Sequence, residues 1–225
     1  MLKKLLLSTA FVAILGTFGF AQTGEDYHKG EVFAGYSNNQ VDTGANNQNG
    51  TAAQNFFNNR ESFNGFEVSG VGNFSRYVGV KGSFSGHYKD FNLTVPTVGT
   101  TPSARFKVNG ELYNFLGGVQ VKDNAKEGSR VRPFGHAMIG AAHAKAEIDS
   151  SFFNSTFCQQ VGTNCRGFID SDSSDTGFSA ALGGGLDIKA SNRVSIRAFQ
   201  VDYNPNRFNG STDHNFRFGF GVVIH

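Results

Sequence analysis

The chain has 225 residues, 20 Lys and Arg against 18 Asp and Glu, 29 Gly, 24 Phe, two Cys and no Trp. This near-balanced charge lacks the basic footprint of a nucleic-acid-binding protein. The abundance of Gly and Phe, with only four Pro, suits twisted antiparallel strands rather than helices, and the length fits one all-β domain.

Residues 1–22 carry a positive start at Lys3 and Lys4, an apolar run over 5–20, and small residues at Gly19 and Ala21. This pattern predicts a secretory signal peptide over 1–21, with the barrel domain over 22–225. No lipobox Cys follows the apolar run. Loss of the leader would remove Lys3 and Lys4 and no acid, leaving 18 basic against 18 acidic residues. No second long apolar run exists, so no transmembrane helix is expected.

Alternate residues of a strand face opposite sides, so strands are read by a period of two. Residues 31–36 set Val32, Ala34 and Tyr36 against Glu31, Phe33 and Gly35, and residues 37–62 read as a polar loop. The second strand, 65–74, turns at Ser75-Arg76 into the third, 77–88, where Val78, Val80, Phe84 and Tyr88 oppose Lys81, Ser83, Ser85 and His87. A loop over 89–103 precedes the fourth strand, 105–121, which sets Tyr113, Phe115, Val119 and Val121 against Asn114, Gly118 and Gln120. A charged turn over 122–130 leads into the fifth strand, 131–147, whose parity is ambiguous: Phe134, His136 and Met138 oppose Ala137, Ile139 and Ala141. Residues 148–175 form a third loop holding both cysteines. The sixth strand, 176–189, sets Phe178, Ala180, Leu182, Leu186 and Ile188 against Ser179, Gly183, Gly185, Asp187 and Lys189. The seventh, 193–203, drifts out of phase at Phe199-Gln200, which predicts a bulge. Residues 204–213 read as a fourth loop, and 215–225 as an eighth strand with Phe216, Phe218, Phe220, Val222 and Ile224 on one face.

The connections alternate long and short through the whole chain. Long loops at one end and tight turns at the other characterise bacterial outer-membrane barrels with an even strand number. A soluble secreted ligand-binding barrel is the rival, and volume separates the two. An eight-stranded barrel is just wide enough for side chains to fill it, so rows of Phe from the whole wall would overfill it. Gly, Ser, Asn and a few charges fit. A basic residue at the midplane of a lipid-facing wall costs ~2–4 kcal/mol, which requires Lys81, Arg197 and Arg217 to point inward. The expected architecture is an eight-stranded antiparallel transmembrane up-and-down β-barrel.

The whole chain past the leader resembles the small eight-stranded outer-membrane β-barrel proteins, the OmpA-type transmembrane domain and its relatives. The resemblance rests on E-V-F-A-G-Y at the first strand, N-F-S-R-Y-V-G-V-K-G at the first hairpin, G-G-G-L-D-I-K before a turn, I-R-A-F-Q-V-D-Y after it, and the alternating last strand. It implies a monomer in the bacterial outer membrane, with the lipid bilayer and the barrel-assembly machinery as partners and a surface ligand on the loops. No peptidoglycan-binding domain is expected after the barrel, so the anchoring role of the longer members is not implied. Where family members commonly end on an aromatic, this chain has Ile224 and His225.

Glu31, Glu67, Lys81, Asp187, Lys189, Arg197 and Arg217 are the candidate lumen charge network. They are expected to fill a plugged interior rather than to conduct. Cys158 and Cys165, an even pair in a secreted chain, are expected to form a disulfide. His28, His87, His136, His143, His214 and His225 show no metal-ligand spacing, and no base–nucleophile pair sits on one strand. No metal, cofactor or catalytic residue is therefore expected. The sequence favours a structural or surface-recognition role, with a narrow passive pore as the alternative, ahead of a lipid A-modifying enzyme.

Overall fold

The structure, a computed structural model, describes residues 26–42, 60–95, 104–148 and 172–225. The leader and the Cys158–Cys165 pair lie outside these residues. Eight strands follow in chain order: β1 (Gly30–Asp42), β2 (Arg60–Asn73), β3 (Val78–Val95), β4 (Ala104–Lys122), β5 (Val131–Ile148), β6 (Asp172–Lys189), β7 (Val194–Phe208) and β8 (Ser211–Ile224). Each pairs antiparallel with its neighbour. β1 closes on β8 from Val32↔Ile224 to Gln40↔Phe216, giving a closed eight-stranded barrel. Closure removes the unpaired edges of an open sheet, and the order is the up-and-down order read from the sequence.

The strands run well past their hydrophobic alternation. β3 to β6 have 18, 19, 18 and 18 residues, whereas ~9–11 suffice to cross a bilayer. Stretches read as loop, including 37–42, 60–62, 89–95 and 172–175, are strand in the barrel. The backbone ladder continues through them although their sequence carries no outward apolar row to mark a strand.

The fourth loop is a correction. β7 and β8 are joined by Asn209 and Gly210 alone, with φ of 47° and 86°. Both central residues are left-handed, as in a type I′ hairpin turn, whose preferred sequence is Asn-Gly. The polar composition of 204–213 obscured that dipeptide signal. The expected bulge in β7 is present: the register against β8 shifts between Arg197 and Gln200.

The short-turn end is closed by its own chain. Residues 26–29 lie against the 123–130 turn through His28 N to Asn124 O (2.9 Å) and Lys126 N to Asp26 O (2.7 Å). On the outer wall the large residues face away from the protein, as in Val80, Phe115, Ile139, Leu182, Ile196 and Phe220, with Ile139 65% exposed. Tyr36, Tyr88, Tyr113 and Tyr203 ring this apolar band toward the loop end, and Phe74 and Tyr77 mark its other edge. The interior is mainly polar and charged, with buried apolar residues among the ions, including Phe33, Val71, Phe134 and Val223 and a small cluster of Leu116, Met138 and Ala181. Apolar outside and charged inside inverts the arrangement of a soluble barrel.

Candidate functional site: the charged lumen

The lumen is filled by two ion clusters joined by one amide. The lower cluster lies toward the short-turn end. Lys122 Nζ donates to Glu31 Oε2 (2.5 Å) and Asp187 Oδ2 (3.0 Å). Arg197 grips the same Asp187 with two groups, Nε to Oδ1 at 2.9 Å and Nη2 to Oδ2 at 3.2 Å. Its guanidinium lies between the rings of Phe33 and Phe134, 4.3 and 4.0 Å from their centroids. A planar, weakly hydrated cation suits such a slot better than an ammonium would.

The upper cluster is built on Glu67 and Asp202. Arg217 donates to Asp202 Oδ2 from Nε (3.0 Å) and Nη2 (2.6 Å), and to Ser85 Oγ from Nη1 (3.2 Å). Lys81 Nζ lies 3.7 Å from Glu67 Oε1 and 3.3 Å from His136 Nδ1. The other face of that ring, at Nε2, lies 2.9 Å from Asp202 Oδ1. Ser83 Oγ also donates to Glu67 (3.2 Å).

Gln200 connects the two clusters. Its Oε1 accepts from Arg197 Nη1 (2.8 Å), while its Nε2 donates to Glu67 Oε2 (2.9 Å) and Asp202 Oδ2 (2.8 Å). The β7 bulge makes this possible. Ala198 and Phe199 both face outward, which resets the phase so that Gln200, Asp202, Asn204 and Asn206 face the lumen. An unbulged strand would send Phe199 inside and Gln200 into the apolar band.

Six of the seven candidates, Glu31, Glu67, Lys81, Asp187, Arg197 and Arg217, lie together in these clusters, all nearly fully buried. Lys189 stands apart at the short-turn end, where its Nζ donates to the Lys126 carbonyl (2.7 Å). Sequence reasoning missed four members. Lys122 had been read into a turn, His136 sat on the strand of ambiguous parity, and Gln200 and Asp202 followed the bulge. The alternation of Gln200, Asp202, Asn204 and Asn206 was the available signal. Together, Glu31, Glu67, Asp187 and Asp202 are matched by Lys81, Lys122, Arg197 and Arg217, four carboxylates against four cations. Arg132, also buried, bonds instead to the carbonyls of Ala125 (2.5 Å) and Ser129 (3.2 Å).

Beyond the ions comes a tier of amides. Ser179 Oγ lies 3.1 Å from Asn114 Oδ1 and 2.7 Å from Asn206 Oδ1, and Asn204 Nδ2 donates to Ser179 Oγ (3.2 Å). His87 Nε2 lies 2.8 Å from Ser37 Oγ. At the opposite end His28 and His225 stack with centroids 4.6 Å apart, and His225 Nε2 lies 2.9 Å from Ser195 Oγ. Burial pushes His225 down to about 4, and burial together with Arg132 lowers His28. Outside the barrel wall, Arg76 makes a two-point pair with Asp123 between adjacent turns, which holds Asp123 down to about 2. No group of three or more metal-ligating side chains occurs among the described residues.

No protein-family model and no curated protein matches the chain. Among solved structures, it is similar to Neisserial surface protein A, at 11% identity and a TM-score of 0.51 over 89% of this chain and 99% of that one. It also aligns with the attachment invasion locus protein Ail of Yersinia pestis (19% identity, TM-score 0.49, covering 87% of this chain and 99% of Ail). A third alignment is with the outer membrane protein OprG of Pseudomonas aeruginosa (12% identity, TM-score 0.43, covering 88% and 97%). At such identities the likeness to the Neisserial protein is one of fold.

Proposed function

We propose that this chain is a monomeric bacterial outer-membrane β-barrel whose filled lumen makes it a rigid platform for surface loops, serving membrane integrity, recognition or adhesion. The observation that carries this reading is the inverted wall. An apolar band flanked by tyrosines faces out, and a network of buried, mutually paired charges faces in. Only a hydrocarbon surround makes that distribution favourable, because in water the band would be a large exposed apolar patch. The lumen supports a platform rather than a conduit: bonded side chains from β1 to β8 cross it at two levels.

In this reading a leader over 1–21 directs export, the barrel-assembly machinery inserts the barrel, the Cys158–Cys165 pair braces a loop, and no reaction is catalysed. The test is fractionation followed by electrophoresis of boiled and unboiled samples. The expected result is recovery with outer membranes and a mobility shift on boiling. A soluble, unshifted protein would overturn the proposal. Expression should also leave lipid A acylation unchanged; an altered acylation pattern would place the chain among enzymes instead.

A further inference from the structure

Among the described residues, the side chains of the lumen leave space toward the loop end of the barrel. Above the amide tier the inward residues become apolar, and Val41, Phe63, Phe91, Leu112, Ala144 and Phe208 surround a cavity of about 310 Å³. The cup is held open by its own packing. Phe63 and Phe91 meet edge to face at 5.8 Å, and both lie against Gly110, where a Cβ would come within 3.1 Å of Phe91 and 3.2 Å of Phe63. A side chain at 110 would drive those rings into the space.

Asn206 and Asn215 belong to the lining, at the boundary with the amide tier. Asn215 Oδ1 accepts from the Asp42 backbone N–H (2.9 Å). Asn206 Oδ1 is 2.7 Å from Ser179 Oγ, but its Nδ2 has no hydrogen-bond partner, although the residue is only 1% exposed. A buried donor left unmade is costly, so it selects for an acceptor. The charge of the lining is acidic: Glu111, Asp175 and Asp213 against Lys145, which pairs with Glu147. An anion would meet repulsion there. Apolar walls with one placed polar group are the ordinary composition of a small-molecule site.

We propose that this cup binds a small neutral amphiphile, with an aromatic or short aliphatic body against Phe63, Phe91 and Phe208 and a carbonyl oxygen accepting from Asn206 Nδ2. The site lies in the wall that projects beyond the apolar band, and so adds a ligand class to the platform described above.

The experiment is a titration of the ¹⁵N-labelled barrel in phosphatidylcholine nanodiscs with acetophenone, read by amide chemical shifts. Insertion is scored separately by the mobility shift on boiling. Failure to bind in an inserted barrel therefore overturns the site and leaves the membrane reading intact. Saturable shifts are expected at Val41, Ala144, Ala146 and Ser173. Benzoate, of the same body but anionic, should bind at least about tenfold more weakly. Ala144→Phe, which fills the cup, should weaken acetophenone by about tenfold or more. Asn206→Leu should weaken it about fivefold, the worth of one neutral hydrogen bond, while leaving propylbenzene unchanged. If Ala144→Phe does not fold, the comparison of ligands and the Asn206 variant carry the test. Shifts that do not saturate, or that spread over Ile139 and Leu182 equally in wild type and Ala144→Phe, would mean partition into lipid and overturn the proposal.

Discussion

Arg197 meets two rings and one carboxylate, and Asp187 is shared between Arg197 and Lys122. A buried charge that loses its partner is left uncompensated, which typically costs ~3–5 kcal/mol, whereas removing both partners costs less. Arg197→Met is therefore expected to lower the urea midpoint of the vesicle-inserted barrel strongly, and Arg197→Met with Asp187→Asn to recover part of that loss. A double variant no better than the single would show that ring stacking, not charge pairing, holds Arg197. At the short-turn end, His225 is held at about 4 by burial against an ordinary 6.5. Below 6.5 the unfolded chain takes up a proton that the folded one refuses. Stability from this group is therefore fully present above 6.5, falls as pH drops toward about 4, and levels off below. His225→Asn should reduce the slope of unfolding free energy against pH in that window, and an unchanged slope would assign it to other groups.

Among the strand elements, the wall of β4 and β5 depends on glycines for its curvature. A Cβ at Gly118 would lie 2.0 Å from the Ala137 carbonyl oxygen, and one at Gly140 would lie 1.9 Å from that of Phe115. No side-chain motion relieves a clash with backbone, so the strands themselves must part. The β7–β8 hairpin depends on conformation instead. Gly210 has φ of 86°, and a left-handed residue bearing a Cβ costs ~1–2 kcal/mol. Gly210→Ala should lower stability by about that amount without altering the register, and Gly140→Ala should cost more. Chemical denaturation with amide spectra of β8 distinguishes the two. Comparable losses would mean that the β4–β5 wall has slack that the packing does not suggest.

For the whole molecule, the question is which face meets hydrocarbon. Ile139 lies in the middle of the outer band, so Ile139→Arg should cost ~2–4 kcal/mol in a bilayer. In a soluble barrel the same change would be nearly neutral. The filled lumen predicts silence in planar bilayers. Steady conductance abolished by changing Arg197 or Lys81 would restore the narrow pore. Much of this organisation was legible in the chain itself, because a period of two is a local property. The strand count, the order, the outward rows ending in Phe216 to Ile224, and the inward Glu31, Glu67, Lys81, Asp187, Arg197 and Arg217 all follow from alternate residues. What the alternation could not place was set by pairing between distant strands. The strand extensions past the apolar band carry no outward apolar row to advertise them. The parity of β5 is fixed only by its partners in β4 and β6. Gln200 and Asp202 enter the lumen only because the bulge against β8 resets their phase. The pairing of Lys122 with Glu31, 91 residues away in the chain, exists because closure of the barrel brings both strands' ends around one axis, a distance relation that no local pattern encodes.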